Sequence, residues 1–348
     1  MKQRFRQIRL SKDNLKKLWR INSIIEEYQA QGYKLTLRQL YYQLVSRDYV
    51  PNSPSEYGKL SKILTEGRMG GEVDWDAIED RVRVPKRLPL FTDPKEILNA
   101  AHDQYRRNPM ATQNVYIEVW VEKDALSGVL ERVTNKYRIN ILVNRGYSSV
   151  SAMYDSYKRI VEQMLMGNRC YILYLGDHDP SGKDMIRDID SRLKEFLLED
   201  EELYNHVYGE EELALSSELQ DELEGLYYHD EDCYDMTDGD DHKYFLWKNA
   251  FVKHHFKIDA IALSWDQIQQ YTPPPNPAKI DDPRAKGYIE QYGEYSWEVD
   301  ALKPQVLNQI LTDAIEALID KSKFTSILYD ETIEKIKIKT LINKYDDL

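Results

Sequence analysis

The chain has 348 residues, 42% of them hydrophobic and 31% charged, which is length and apolar content for two or more domains with full cores. No apolar run approaches the roughly 20 residues needed to span a bilayer, and the opening Met1-Lys-Gln-Arg-Phe-Arg6 lacks the apolar stretch of an export signal, so we expect no membrane association. Two cysteines, Cys170 and Cys233, are too few for a disulfide framework or a zinc cluster and fit a reducing cytoplasm.

The net charge of −13 argues against a polyanionic partner, but its distribution argues the other way. Between Glu195 and Asp241 there are 19 Asp and Glu and no Lys or Arg, and taking those 19 from −13 leaves the rest of the chain at +6. The first 20 residues are basic, and so is Arg81-Val-Arg-Val-Pro-Lys-Arg87. Local patches rather than net charge govern phosphate binding.

Residues 10–32 read as a helix with Leu15, Leu18, Ile21, Ile24 and Ile25 on one face. Thr36 suits an N-cap for a second helix, Leu37–Ser46. There Leu37, Leu40, Tyr41, Leu44 and Val45 follow a core-facing stripe, while Tyr42 falls off it, on the face of Arg38 and Ser46. The spacing therefore predicts that Tyr41 packs and Tyr42 points outward beside an arginine. Pro51-Asn-Ser-Pro54 is a turn before a third helix ending near Gly67, with a break at Gly70-Gly71. Residues 74–83 and the prolines beyond suit a β-wing or an extended arm, and helices followed by a basic arm suggest a winged-helix-like DNA-binding domain over 1–91, with Arg81, Arg83, Lys86 and Arg87 as phosphate contacts.

A linker helix over 92–112 leads into an α/β pattern. Strands are expected at Val115–Val121, Ile139–Val143, Cys170–Leu175 and Ile258–Ser264, with helices between them, which predicts a parallel sheet of Rossmann-like type over 113–303. The acidic segment 195–241 reads as an insertion, helical in part and otherwise mobile, since like charges repel. Thr272-Pro-Pro-Pro-Asn-Pro277 is a stiff linker, and helices cover 304–348. There is no internal repeat, phosphate-binding Gly-rich loop or metal-spaced Cys/His cluster.

The chemistry gathers at strand ends. Glu122-Lys123 closes the first strand, and Asp177-His178-Asp179 closes the third, ahead of Pro180, Gly182 and a helix. Two readings stand for the Asp-x-Asp turn: hard oxygen ligands for Mg²⁺ at the carboxyl edge of a sheet, or a polar turn with an Asp helix cap.

With Glu122-Lys123, Gly176-Asp177-His-Asp179-Pro-Ser-Gly182, Asn144-Arg-Gly-Tyr147, Arg38-Gln-Leu-Tyr41-Tyr42 and Glu298-Val-Asp-Ala-Leu302 taken together, the chain resembles the A subunit of type IIB DNA topoisomerases and the related meiotic double-strand-break transesterase, which join a winged helix to a Toprim domain. The resemblance covers residues 30–190 and, more weakly, 255–303. It implies Mg²⁺-dependent cleavage of double-stranded DNA. Tyr42 would be the nucleophile, Arg38 its cationic neighbour, and Glu122, Asp177 and Asp179 the metal ligands. Glu122 would double as a proton donor and Lys123 as a DNA contact. It also implies a homodimer with tyrosine and acids from opposite subunits, a separate GHKL-type ATPase B subunit, and a nucleoid-associated or phage-DNA setting. A Toprim domain also serves hydrolytic nucleases without a covalent intermediate, and a DNA-binding module with a structural ion is a third possibility. The chain departs from the family in having Ser or Ala where an arginine follows the Gly-Tyr loop, and in the acidic segment.

Overall fold

The structure is a computed structural model that describes residues 1–79, 88–144, 146–209, 248–278 and 284–345. Arg81, Arg83, Lys86 and Arg87, the expected phosphate contacts, lie outside the described residues, as does Arg145.

Three helices form the N-terminal unit: α1 (Lys12–Ala30), α2 (Leu37–Ser46) and α3 (Pro54–Gly70). Each begins where a side chain satisfies a free amide. Ser11 accepts from Asn14 N, Thr36 and Gln39 close a reciprocal capping box, and Ser53 accepts from Glu56 N just ahead of Pro54. The third helix runs on to Gly70 and stops at Gly71, whose φ of 81° suits a residue without a Cβ. Leu18, Ile21, Ile24 and Ile25 are buried as the periodicity requires, but Leu15 is 46% exposed. Trp75–Ala77 forms a short 3₁₀ turn, and Leu35 bridges Ile78, so the segment expected as a wing or arm begins as a turn packed against the helices.

Helix α4 (Pro94–Gln104) buries none of its residues and lies along the C-terminal helix described below, so the expected linker helix belongs with the second unit. That unit is built on a four-stranded, all-parallel sheet in the order β2-β1-β3-β4. In chain order it comprises β1 (Val115–Val121), α5 (Asp124–Tyr137), β2 (Asn140–Val143), α6 (Val150–Leu165), β3 (Arg169–Leu175), α7 (Pro180–Leu198), α8 (Glu201–Gly209) and β4 (Phe256–Ala262). Thereafter come α9 (Trp265–Tyr271), a small ribbon of β5 (Asn276–Pro277) with β6 (Tyr295–Ser296) around α10 (Ala285–Tyr292), and finally α11 (Pro304–Glu316) and α12 (Lys321–Asn343).

The period-two alternation of the strands sorts two cores. Val119, Val121, Leu173 and Leu175 face α5 and α11, while Trp120, Ile172 and Tyr174 face α6 and α7. The sheet is covered on both faces, as parallel sheets require. Glu118 sits in mid-strand at 1% exposure and is satisfied on all sides, by Tyr116 Oη at 2.6 Å, Trp120 Nε1 at 2.8 Å and Arg159 Nε at 2.6 Å.

The start of the acidic segment is helical, in keeping with the expectation that part of it would be. Helix α7 continues to Leu198, and α8 packs through fully buried Leu203 while Tyr157 donates to Asp200. Residues 210–241 of that segment, and 242–247 after it, lie outside the described residues. No helix among the described residues is long and apolar enough to cross a membrane.

A candidate catalytic pocket at the sheet edge

The loops leaving β1 and β3 meet because the two strands pair in register, and Glu122 N donates to Leu175 O at 3.0 Å just beyond them. Gly176 and Gly182 make the β3–α7 turn possible. A Cβ on Gly176 would stand 2.4 Å from the Tyr174 ring, and one on Gly182 would stand 2.3 Å from the Asp177 carbonyl oxygen. Asp177 and Asp179 point into one cavity, while His178 between them turns the opposite way. It packs among Trp265, Tyr288, Tyr292 and Trp297 and exchanges two backbone hydrogen bonds with Trp297. Burial pushes its imidazole down to about 4, so it braces the turn as a neutral ring.

The cavity measures 390 Å³, and its walls include Arg38, Glu122, Tyr147, Asp177, Asp179 and Glu298. The cap reading of the Asp-x-Asp turn holds: Asp179 caps α7, accepting from Gly182 N at 2.6 Å, and also lines the cavity. Asp177 N donates to Glu122 Oε2 at 2.9 Å, and Asp177 Oδ1 accepts from Val299 N at 2.9 Å. That last contact brings in Glu298 and Asp300, whose weight in the site no local pattern announces. In the sequence they stand out only as part of a late, weakly matched motif.

Lys123, expected to touch DNA, is spent on carboxylates. Its Nζ lies 2.7 Å from Asp177 Oδ2, 2.9 Å from Glu298 Oε2 and 3.1 Å from Asp300 Oδ1. Burial opposes its charge, but Asp300, Asp177 and Glu298 outweigh it and hold the ammonium protonated. Arg38 reaches the same cluster from α2, its Nη2 donating to Glu298. Its Nε lies 3.0 Å from Asp300 Oδ2 without the alignment of a hydrogen bond.

Tyr42 does not point outward. It is 4% exposed, because α2 is wedged between α1 and α3 on one side and Val299–Ala301 of the sheet unit on the other, so a helical wheel with one core face misplaces it. The Arg38 guanidinium lies 5.9 Å from its ring centre. Burial, reinforced by Glu298 and Asp300, pushes the phenol well above its ordinary value. Helix α2, which carries Tyr42, therefore packs against the Glu298–Asp300 segment of its own chain.

The acids carry the mark of a charge excess. Burial, then the repulsion of Glu122 and Asp300, pushes Asp177 up to about 8 against the pull of Lys123, and burial likewise raises Glu122. Glu298 is the exception, held at about 2 because Lys123 and Arg38 outweigh its burial. An all-oxygen set of Glu122, Asp177 and Asp179 suits a hard divalent cation in kind. Among the described residues, however, no three such groups converge as a formed metal site, and the Lys123 ammonium already bridges three carboxylates of the cluster. No family model, curated protein or solved structure compared with this chain matches it.

Proposed function

We propose that this chain cleaves DNA by transesterification in the manner of the type IIB topoisomerase A subunits its motifs resemble. The observation that carries the reading is that Arg38, on the helix that bears Tyr42, enters the wall of the carboxylate-lined cavity, at the carboxyl edge of a parallel sheet, where such folds place ligands.

In the proposed step a bond forms between Tyr42 Oη and phosphorus while the bond from phosphorus to the 3′ oxygen breaks. The phenolic proton passes to water and the 3′ oxygen takes one up. Arg38 neutralises charge on the phosphate oxygens. Glu122, whose burial raises its pKa, is suited to return the proton to the 3′ oxygen. Glu122, Asp177 and Asp179 would hold Mg²⁺, which when bound supplies positive charge against the phosphate. A dimer, a separate ATPase subunit and an intracellular DNA target belong to the same proposal.

One observation favours a second reading. Tyr42 is 4% exposed, so the same pocket with a silent tyrosine would suit a hydrolytic nuclease. Cleavage of supercoiled plasmid in Mg²⁺ separates the two. Tyr42→Phe is expected to lower cleavage at least a thousandfold. If Tyr42→Phe cuts as fast as the unaltered protein, the covalent reading is wrong and the nuclease stands.

A further inference from the structure

The N-terminal unit and the sheet unit meet through contacts that are mostly polar and separable. Asn52 Nδ2 donates to Pro275 O at 3.1 Å and Asn276 Oδ1 at 2.6 Å, Asn308 Nδ2 to Tyr33 Oη at 2.9 Å, and Gln305 to Gln31. Ala301 alone, among described residues of the sheet unit, joins the buried apolar cluster of the N-terminal helices. Interfaces of this character between domains permit relative motion. The described part of the connection does not oppose it: residues 88–93 are exposed and α4 buries nothing.

At the middle of this interface lies its most committed contact. Asp300 is 1% exposed and Tyr42 4% exposed. The Glu298 carboxylate accepts from the Arg38 guanidinium, which lies beside the Tyr42 ring. A carboxylate in that position offers Arg38 what a phosphodiester would offer it, namely anionic oxygens for a fork of N–H donors. At 4% exposure Tyr42 has no open path to an external phosphorus atom.

From this geometry we infer that Glu298 and Asp300 are an internal phosphate mimic, a latch that holds Tyr42 and Arg38 closed until a nucleic-acid backbone displaces it. The inference rests on the reading of Tyr42 as nucleophile, and it adds how that nucleophile is kept silent without substrate. Lys123 keeps the latch on the sheet unit by neutralising Glu298 and Asp300 from behind. Opening would then uncover a preassembled Tyr42–Arg38 pair on one body and a carboxylate edge with a free cavity on the other.

Two measurements on the whole chain, with Cys233 replaced by serine, test the latch. In the first, Gln31→Cys and Gln305→Cys, both outside the pocket, are joined by a short bis-maleimide. The bridged protein is expected to cleave supercoiled plasmid at least tenfold more slowly than the unbridged double variant. Equal rates would overturn the latch. In the second, spin labels at Lys62 and Gln309 report the distance between the units. Glu298→Ala, or addition of a short DNA duplex to the unaltered pocket, is expected to add a longer-distance population. A distribution unmoved by both would also overturn it. If the unbridged protein cleaves no DNA, the cleavage reading fails, and the label distances still decide the latch.

Discussion

Two buried arginine–carboxylate clusters in this molecule look alike in an ion-pair count and differ in kind. Arg138 forks onto both oxygens of Glu331, one at 2.9 Å, and Glu331 also accepts from Arg107 N at 2.7 Å. Arg107 in turn bonds Asp330 at 2.9 Å. Charges balance and the glutamate's oxygens are occupied, and the cluster clamps α12 to the end of α5 and to the segment after α4. The Arg38–Lys123 cluster instead sets two cations among Glu122, Asp177, Asp179, Glu298 and Asp300, opens on a 390 Å³ cavity, and leaves Arg38 Nε and Asp300 Oδ2 without aligned partners. Imbalance of this sort costs stability and is retained where chemistry needs it. The lesson is to count charges and orphaned atoms, not ion pairs.

The contrast should show most strongly in activity. Asp177→Ala is expected to lower plasmid cleavage at least a hundredfold while barely moving the melting temperature, because Lys123 keeps Glu298 and Asp300. Glu331→Gln should do the reverse, costing about 3 kcal/mol in denaturant unfolding by stranding Arg138, with cleavage unchanged. Burial works against the Glu331 charge, but Arg138 and the Arg107 amide overcome it and lower its pKa. Its contribution is therefore present above the ordinary carboxylate value and fades as pH falls through the folded value. The gap between Glu331→Gln and the unaltered protein should accordingly shrink in acid. A constant gap down to strongly acidic pH would remove the charge from that account.

The smallest effect is the most distinctive in sign. Glu122→Gln is expected to stabilise the chain in EDTA at pH 7, by about 1 kcal/mol, since burial and neighbouring acids disfavour its charge. The folded pKa is raised, so the gain should vanish as pH falls below the ordinary carboxylate range. A lower melting temperature for Glu122→Gln would mean the cluster is not overcharged.

The sheet was legible because strand runs such as Val115–Val121 and Cys170–Leu175 are uniformly apolar or aromatic, apart from Glu118, and each is followed by a turn and an amphipathic helix. The edge position of Glu122 and Asp177 followed from that alone. What the sequence hid were relations between distant segments. Nothing local says that Lys123 will turn onto Asp300, 177 residues away, or that Trp297 will pair with His178 and bring Glu298 to Arg38. Tyr42 shows the same limit, because a hydrophobic stripe predicts one buried face and cannot register a second body on the other.

Covalent attachment of Tyr42 to DNA is the step on which the proposed chemistry and the latch both depend. Supercoiled plasmid is mixed with the protein in Mg²⁺, quenched with denaturant, digested with nuclease and protease, and the peptides are read by mass spectrometry. The expected product is a nucleotide-modified peptide containing Tyr42, lost in Tyr42→Phe. Cut plasmid with every tyrosine peptide unmodified would contradict it.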